Sequence, residues 1–207
     1  MEQDIAILIA DLTGYTSLTD THGALAAADL IDKYMTIVEN SLVGSSEFHQ
    51  RAGDEALIVS RSADDLLSTA VKLLENTHGE HEFLQIHGGL HYGSVLKRNE
   101  HYFGNTINFA ARIASKASAG NLWCSEDFIN ALTGVPSVSF TSKGEFDLKN
   151  FRNRNTLFEL VISKPQEFSI DPVCKMQIRD KESAISHPTH PGLYFCSETC
   201  LNIYLAE

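Results

Sequence analysis

The chain has 207 residues, 43% of them hydrophobic and 21% charged, a balance that suits a soluble globular protein with one well-packed domain and room for a small second unit. Its formal net charge of −11 leaves no broad positive field for a phosphate backbone or an anionic lipid surface, which disfavours nucleic acid and membrane adhesion. No apolar run nears the ~18 residues of a membrane span, and Met1-Glu2-Gln3-Asp4 lacks the basic start of a secretory signal, so a cytoplasmic protein with no membrane span is expected.

Residues 5 to 10 predict a buried strand that ends on Asp11 and breaks at Thr13-Gly14. Leu25, Ala28, Ile31, Met35, Val38 and Leu42 then recur at helical spacing and predict a long helix with one apolar stripe. Phe48 to Arg51 and Ala56 to Val59 flank Gly53-Asp54, a hairpin signal with a carboxylate at its tip. A second helix is predicted over about 63–75 and a strand from Phe83 to Tyr92, ending at Gly93. Asn105 to Ala117 predicts a third helix, Asn121 to Cys124 a short strand, and Ser125-Glu126-Asp127 the cap of a short helix to Leu132. Strands over 138–148 and 157–162 complete a sheet. The expected fold class is α+β, with helices on one face of a mostly antiparallel sheet.

At Ser163-Lys164-Pro165-Gln166-Glu167 the pattern stops, and a boundary near residue 165 separates a first domain, 1–164, from a cysteine-rich unit, 165–207. About 40 residues cannot bury a sufficient core alone, so this unit needs a metal or its neighbour to hold it. Of the four cysteines, Cys124 reads as core, while Cys174, Cys196 and Cys200 cluster as thiols do around a metal in a reducing compartment.

An unpaired carboxylate at a buried strand end is costly. If the hairpin lies beside the first strand, Asp11 and Asp54 converge, and Mg²⁺ or Mn²⁺ would offset their repulsion. From spacing alone, both also read as ordinary turn residues. Asn108 and Arg112 stand at i and i+4 on one helix face, an Asn able to hold a sugar oxygen and an Arg suited to a phosphate; alone, such an Arg is usually just a solvated surface residue.

The blocks "ILIADLTGYTSL", "RAGDEALIVS", "HGGLHYGSV", "HYFGNTINFAARIASKASAGNLWCSEDF" and "SKGEFDLKN" occur in one order and spacing over about residues 4 to 162. In this the sequence resembles the class III nucleotide cyclase catalytic domain of adenylate and guanylate cyclases. The resemblance implies a ferredoxin-like core and a homodimer with active sites at the interface. It implies that Asp11 and Asp54, with the Leu12 carbonyl as a further ligand, hold two Mg²⁺ or Mn²⁺ ions. Asn108 and Arg112 of the other chain would orient the ribose and stabilise the α-phosphate. Gly14, Tyr15 and Thr16 would lie against the triphosphate of ATP or GTP, Gly14 for close backbone approach, and Lys149 would approach it from the Leu-Lys position. Adenine-selective relatives carry Lys and Asp where this chain has Gln50 and His101, so the base pocket departs from that pattern; neutral Gln and His can still pair with a base edge. Asn105, which replaces a frequent Asp, reads as structural.

The segment "DPVCKM … YFCSETC" has the spacing Cys-x21-Cys-x3-Cys and resembles the YHS domain, a small module associated with metal binding, over about 168–207. Three thiolates nearly close a tetrahedral site for zinc, iron or copper; His187 or His190 is a candidate fourth ligand, though each reads more readily as a surface-loop histidine beside Pro188 or Pro191. Three buried thiols without an ion are the other reading. For the whole chain, the first expectation is an active cyclase making cyclic AMP from ATP, with a metal- or redox-responsive tail. Its rival is a catalytically silent cyclase-like dimer that binds nucleotide or a partner, and a metal chaperone on a borrowed scaffold is a more remote third.

Overall fold

The strand β1 (Glu2–Leu12) has two apolar faces. Ala6, Leu8, Ala10 and Leu12 alternate with Ile5, Ile7 and Ile9, and none is more than 3% exposed, as expected of a strand covered on both sides. In this computed structural model, which describes residues 2–134, 138–162 and 168–206, β1 lies near the middle of the main sheet. The chain continues through α1 (Tyr15–Ser41), the hairpin β2 (Glu47–Ala52) and β3 (Glu55–Ser60), α2 (Ala63–Gly79), β4 (Ile86–Arg98), β5 (His101–Phe103) and α3 (Asn105–Ala114). β6 (Leu122–Ser125), α4 (Glu126–Asn130), β7 (Ser139–Asp147) and β8 (Arg154–Val161) follow.

The strand order is β2-β3-β1-β4-β6-β8-β7, with β5 hydrogen-bonded to β4. β4 and β6 pair in parallel across the connection through α3, and the other ladders of this sheet are antiparallel. The expected α+β class, a mostly antiparallel sheet with helices, is therefore present. Ala6, Leu8, Ala10 and Leu12 meet α1 and α2 in one core. Ile5, Ile7 and Ile9 meet Ala110 and Ala114 of α3 in a second. The expectation of helices on one face thus holds for the two long helices, while α3 covers the other face because β1 is apolar there too.

Local sequence explains the helix starts. Ser62 Oγ accepts a hydrogen bond from Asp65 N at 3.1 Å, with Asp64 and Asp65 in the first turn of α2, and Ser125 Oγ accepts from Phe128 N at 3.2 Å to cap α4. The apolar stripe of α1 departs from expectation. Leu25 is 78% exposed and Ala28 is exposed, whereas Ala27, Leu30, Ile31, Tyr34, Ile37 and Val38 are buried. Ile31 and Val38 of the expected stripe are buried and Met35 and Leu42 pack on the core, so the departure is confined to Leu25 and Ala28, in the turns just after Gly23 (φ 84°, ψ 169°), which interrupts α1. β4 also runs beyond Gly93 to Arg98, and α3 ends at Ala114 rather than Ala117.

The C-terminal segment forms β9 (Ser169–Ile170), β10 (Gln177–Ile178), β11 (Ile185–Ser186), β12 (Tyr194–Phe195) and α5 (Glu198–Ala206). It is joined to the main body by backbone pairing. Gln177 N donates to Phe83 O at 2.7 Å, Glu82 N donates to Gln177 O at 3.1 Å, and Leu84 bridges Met176. The buried Gln177 side chain adds a bond from Nε2 to Thr77 O at 2.9 Å. The expected boundary near residue 165 lies outside the described residues.

Candidate active site

Asp11 sits at the end of β1, opposite His87 of β4, and Asp54 occupies the turn between β2 and β3. The β1–β3 ladder carries that turn alongside the end of β1. Asp11 Oδ2 lies 3.8 Å from His87 Nε2, with 32% of the Asp11 side chain exposed. Asp11 Oδ1 is buried and has no hydrogen-bond partner within the protein. Burial foremost, then the Asp54 charge and a hydrogen bond shared with Asp54, and then Glu55, push the Asp11 carboxyl up to about 7. Burial and Asp54 also raise Glu55.

Three converging carboxylates with one orphaned buried oxygen fit oxygen-ligated divalent cations, which would satisfy that oxygen and offset the repulsion. Leu12 packs its side chain into the core, so its carbonyl is what it has to offer an ion. Glu55 and His87 were not singled out from sequence. Glu55 follows Asp54 directly and was therefore findable; His87 enters only through the β1–β4 register.

The surroundings hold this strand end in place. Tyr34 O–H donates to Ala10 O at 3.0 Å from the buried face of α1, and Thr13 Oγ1 lies 2.9 Å from His87 Nδ1. Gly14 takes φ 91° at the N-cap of α1, with no side-chain cap, just before Tyr15 and the exposed Thr16. Uncapped N–H groups at a helix start favour anions. The space over Gly14 is filled by the tail: a Cβ built there would lie 2.5 Å from Lys175 Cβ and 2.7 Å from Lys175 Cγ.

Asn108 is exposed and Arg112 half-buried on α3. Among the described residues, no hydrogen bond or ion pair joins either to Asp11 or Asp54. Lys149 is exposed in the β7–β8 connection. That connection packs on α3 through Leu148 and through Phe151, whose ring centroid lies 4.6 Å from that of Phe109. One chain thus carries two groups of candidate residues, the carboxylates at the β1 end and the polar set on and beside α3. Gln50 is exposed on β2, and His101 is exposed at the start of β5. His49 was missed. A bulge between Phe48 and Gln50 sets its ring 6.5 Å from His101 and 4.9 Å from Tyr102, and a bulge of this kind leaves no mark in residue alternation.

Residues 1–162 match the family model described as the adenylate and guanylate cyclase catalytic domain. The chain belongs to this family. A curated relative from Mycobacterium tuberculosis, an uncharacterized protein, is 30% identical over 152 residues, 73% of this chain and 39% of its own length. An adenylate cyclase of Glutamicibacter nicotianae is 30% identical over 118 residues, 56% of this chain and 29% of its own length. The chain therefore spans well under half of these relatives. The solved adenylyl cyclase CyaB from P. aeruginosa superposes with a TM-score of 0.66 at 18% identity, covering 81% of this chain and 98% of that one, which supports the fold. Among the described residues, no helix of this cyclase chain is long and apolar enough to cross a membrane.

The cysteine segment follows the matched cyclase region. Cys174 Sγ lies 3.4 Å from Cys196 Sγ, and Cys196 Sγ lies 3.6 Å from Cys200 Sγ. His22 Nε2, from α1 of the cyclase domain, lies 3.5 Å from Cys196 Sγ and 3.6 Å from Cys200 Sγ. The imidazole that the structure brings to the thiols is thus His22, while the two candidates, His187 and His190, are not in this group; His187 Nδ1 instead accepts from the backbone N–H groups of Thr189 and His190, both at 3.1 Å. Buried Asp171 gathers the cysteine loops: Oδ1 accepts from Cys174 N at 3.2 Å and Oδ2 from Cys196 N at 2.8 Å. Cys124 is buried apart from them, in the core as expected.

Proposed function

We propose that this cyclase domain converts ATP to cyclic AMP and pyrophosphate, as a homodimer that builds each active site from two chains. The observation that carries the reading is the Asp11–Asp54 pair with its orphaned buried oxygen, in a chain whose exposed Asn108 and half-buried Arg112 make no hydrogen bond or ion pair with that pair among the described residues. Asp11, Asp54 and the Leu12 carbonyl would hold Mg²⁺ or Mn²⁺, which when bound supplies Lewis-acid activation of the ribose 3′-oxygen and screening of the leaving pyrophosphate.

The chain's own groups do the positioning. Backbone N–H groups at Gly14, Tyr15 and Thr16 meet the phosphates at the helix start. From the second chain, Arg112 donates to the equatorial α-phosphate oxygens as their charge grows, Asn108 holds the ribose, and Lys149 adds a cation. The 3′-hydroxyl oxygen then attacks the α-phosphorus in line and gives up its proton to solvent, the bond to the bridging oxygen breaks, and pyrophosphate departs with the electron pair. Gln50 and His101 face the base. The named adenylate cyclases among the relatives support ATP over GTP.

Product analysis of the purified dimer with ATP and with GTP, in Mn²⁺ and in Mg²⁺, tests the reading. Cyclic AMP is the expected product. Absence of any cyclic nucleotide in all four mixtures would refute it.

A further inference from the structure

The cluster at the junction of tail and cyclase domain has the composition and dimensions of a closed metal site. His22, Cys174, Cys196 and Cys200 each offer one ligand atom, and the four atoms lie within 4.8 Å of one another. A zinc ion bound tetrahedrally, with ~2.3 Å bonds to sulfur and ~2.0 Å to nitrogen, needs ligand atoms separated by about 3.5–3.8 Å. The separations found, 3.4 and 3.6 Å between sulfurs and 3.5 and 3.6 Å from sulfur to imidazole nitrogen, are close to those edges. A disulfide would use two of the thiols and leave the third and the imidazole without a role.

The scaffold is built for these four groups. Asp171 ties the backbone of the Cys174 loop to that of Cys196. Ser197 Oγ accepts from Cys200 N at 3.3 Å, and Cys200 lies in the first turn of α5. His22 comes from the cyclase domain and ends the first segment of α1, directly before the non-helical Gly23.

We propose that His22, Cys174, Cys196 and Cys200 form one tetrahedral site for a thiophilic divalent cation of the zinc class, shared between the two parts of the chain. The ion fastens the tail to α1. It thereby fixes Lys175, the neighbour of a ligand, over Gly14, on the turn where the proposed function brings the phosphates. The tail is a metal-locked cover on the start of α1.

The test uses the full chain, reduced and metal-free under anaerobic conditions, titrated with Co²⁺ and then Zn²⁺ without nucleotide. The expected result is one thiolate-bound ion per chain, read from the visible bands of tetrahedral cobalt and sulfur-to-cobalt charge transfer, which oxygen-bound cobalt at the carboxylates does not give. His22→Ala should weaken Co²⁺ binding by at least ~10-fold, since loss even of an outer-shell partner commonly costs ~10–100-fold. His22→Cys should restore tight binding with a stronger charge-transfer band, and His187→Ala and His190→Ala should bind as the parent does. Hydrogen exchange at residues 13–18 and 169–206 should slow when Zn²⁺ is added.

The site assignment is overturned if the reduced protein binds no ion, or if His22→Ala keeps the parent's affinity and spectrum. Exchange at 13–18 that ignores Zn²⁺ would overturn the cover. These readouts need no turnover, so they stand or fall apart from the cyclase reading.

Discussion

Asp11 is held in a surrounding that disfavours its charge, and that fact separates stability from function at one residue. Because burial and Asp54 raise its pKa to about 7, ionised Asp11 destabilises the metal-free fold above that pH. Asp11→Asn should raise the metal-free Tm at pH 8 by about 2–5 °C, measured by calorimetry, while abolishing cyclic nucleotide formation. His91 carries the opposite kind of pH dependence. Burial pushes its pKa down to about 4, with Nδ1 2.8 Å from Ser125 Oγ and the ring stacked on Phe109 at 4.2 Å. The unfolded chain takes up this proton below about 6.5 and the folded one only near 4. Its contribution is therefore full above 6.5 and lost as pH falls toward 4, by up to ~1.4 kcal/mol per unit. Denaturant melts of the parent and His91→Gln across that window should show the shallower slope in the variant. As candidates, Asp11 stood out because a charge after an apolar run is conspicuous, and Asp54 because it sits in a hairpin signal. His91 did not, because within the block "HGGLHYGSV" nothing distinguishes its buried ring from an exposed one.

Elements explain which expectations held. β1 and α2 were readable because each carries a clear hydrophobic period, closed for β1 by Thr13-Gly14, and the β2–β3 hairpin was readable because Gly53-Asp54 marks its turn and Ala56 to Val59 an apolar strand after it. The stripe of α1 held from Ile31 onward and failed at Leu25 and Ala28, because an apolar period shows which positions could share a face while tertiary contacts decide where along the helix that face is covered. The short strands β9 to β12 were invisible, since two-residue ladders are set by side-chain bonds from afar. Asp171 is one such source, bridging the loops that precede β10 and follow β12. Asp171→Ala leaves those N–H groups without a buried acceptor, at a cost of ~1–3 kcal/mol each. It should speed hydrogen exchange in residues 169–206 and leave α2 protected, which exchange mass spectrometry can read.

At the scale of the whole molecule, the proposed division of each site between two chains yields a test of assembly. Asp54→Ala and Arg112→Ala should each lower turnover by ~10²–10³ or more, and the α3 variant should still bind metal ions at the carboxylates. Mixed together, the two inactive proteins should recover activity that neither has alone. Each mixed dimer places both intact halves in one of its two sites. If mixing restores nothing although mixed dimers form, the shared-site assembly is wrong. The tail's reach across to α1 had no counterpart in the sequence, where His22 and Cys174 stand far apart and His187 and His190 lie temptingly close to the cysteines.

The break at Gly23 also works as a torsional gauge between these parts. A side chain there would meet no atom within 4 Å, yet φ 84° is strained for any residue but glycine. Gly23→Ala therefore favours a straightened helix without touching a ligand, and an unbroken helix turns each added residue by about 100°. His22 would be carried out of line with the three sulfurs while every donor remained. The expected signature is a weaker cobalt complex with an unchanged ligand set, so one backbone dihedral, remote from both carboxylates, sets how firmly the C-terminal segment holds.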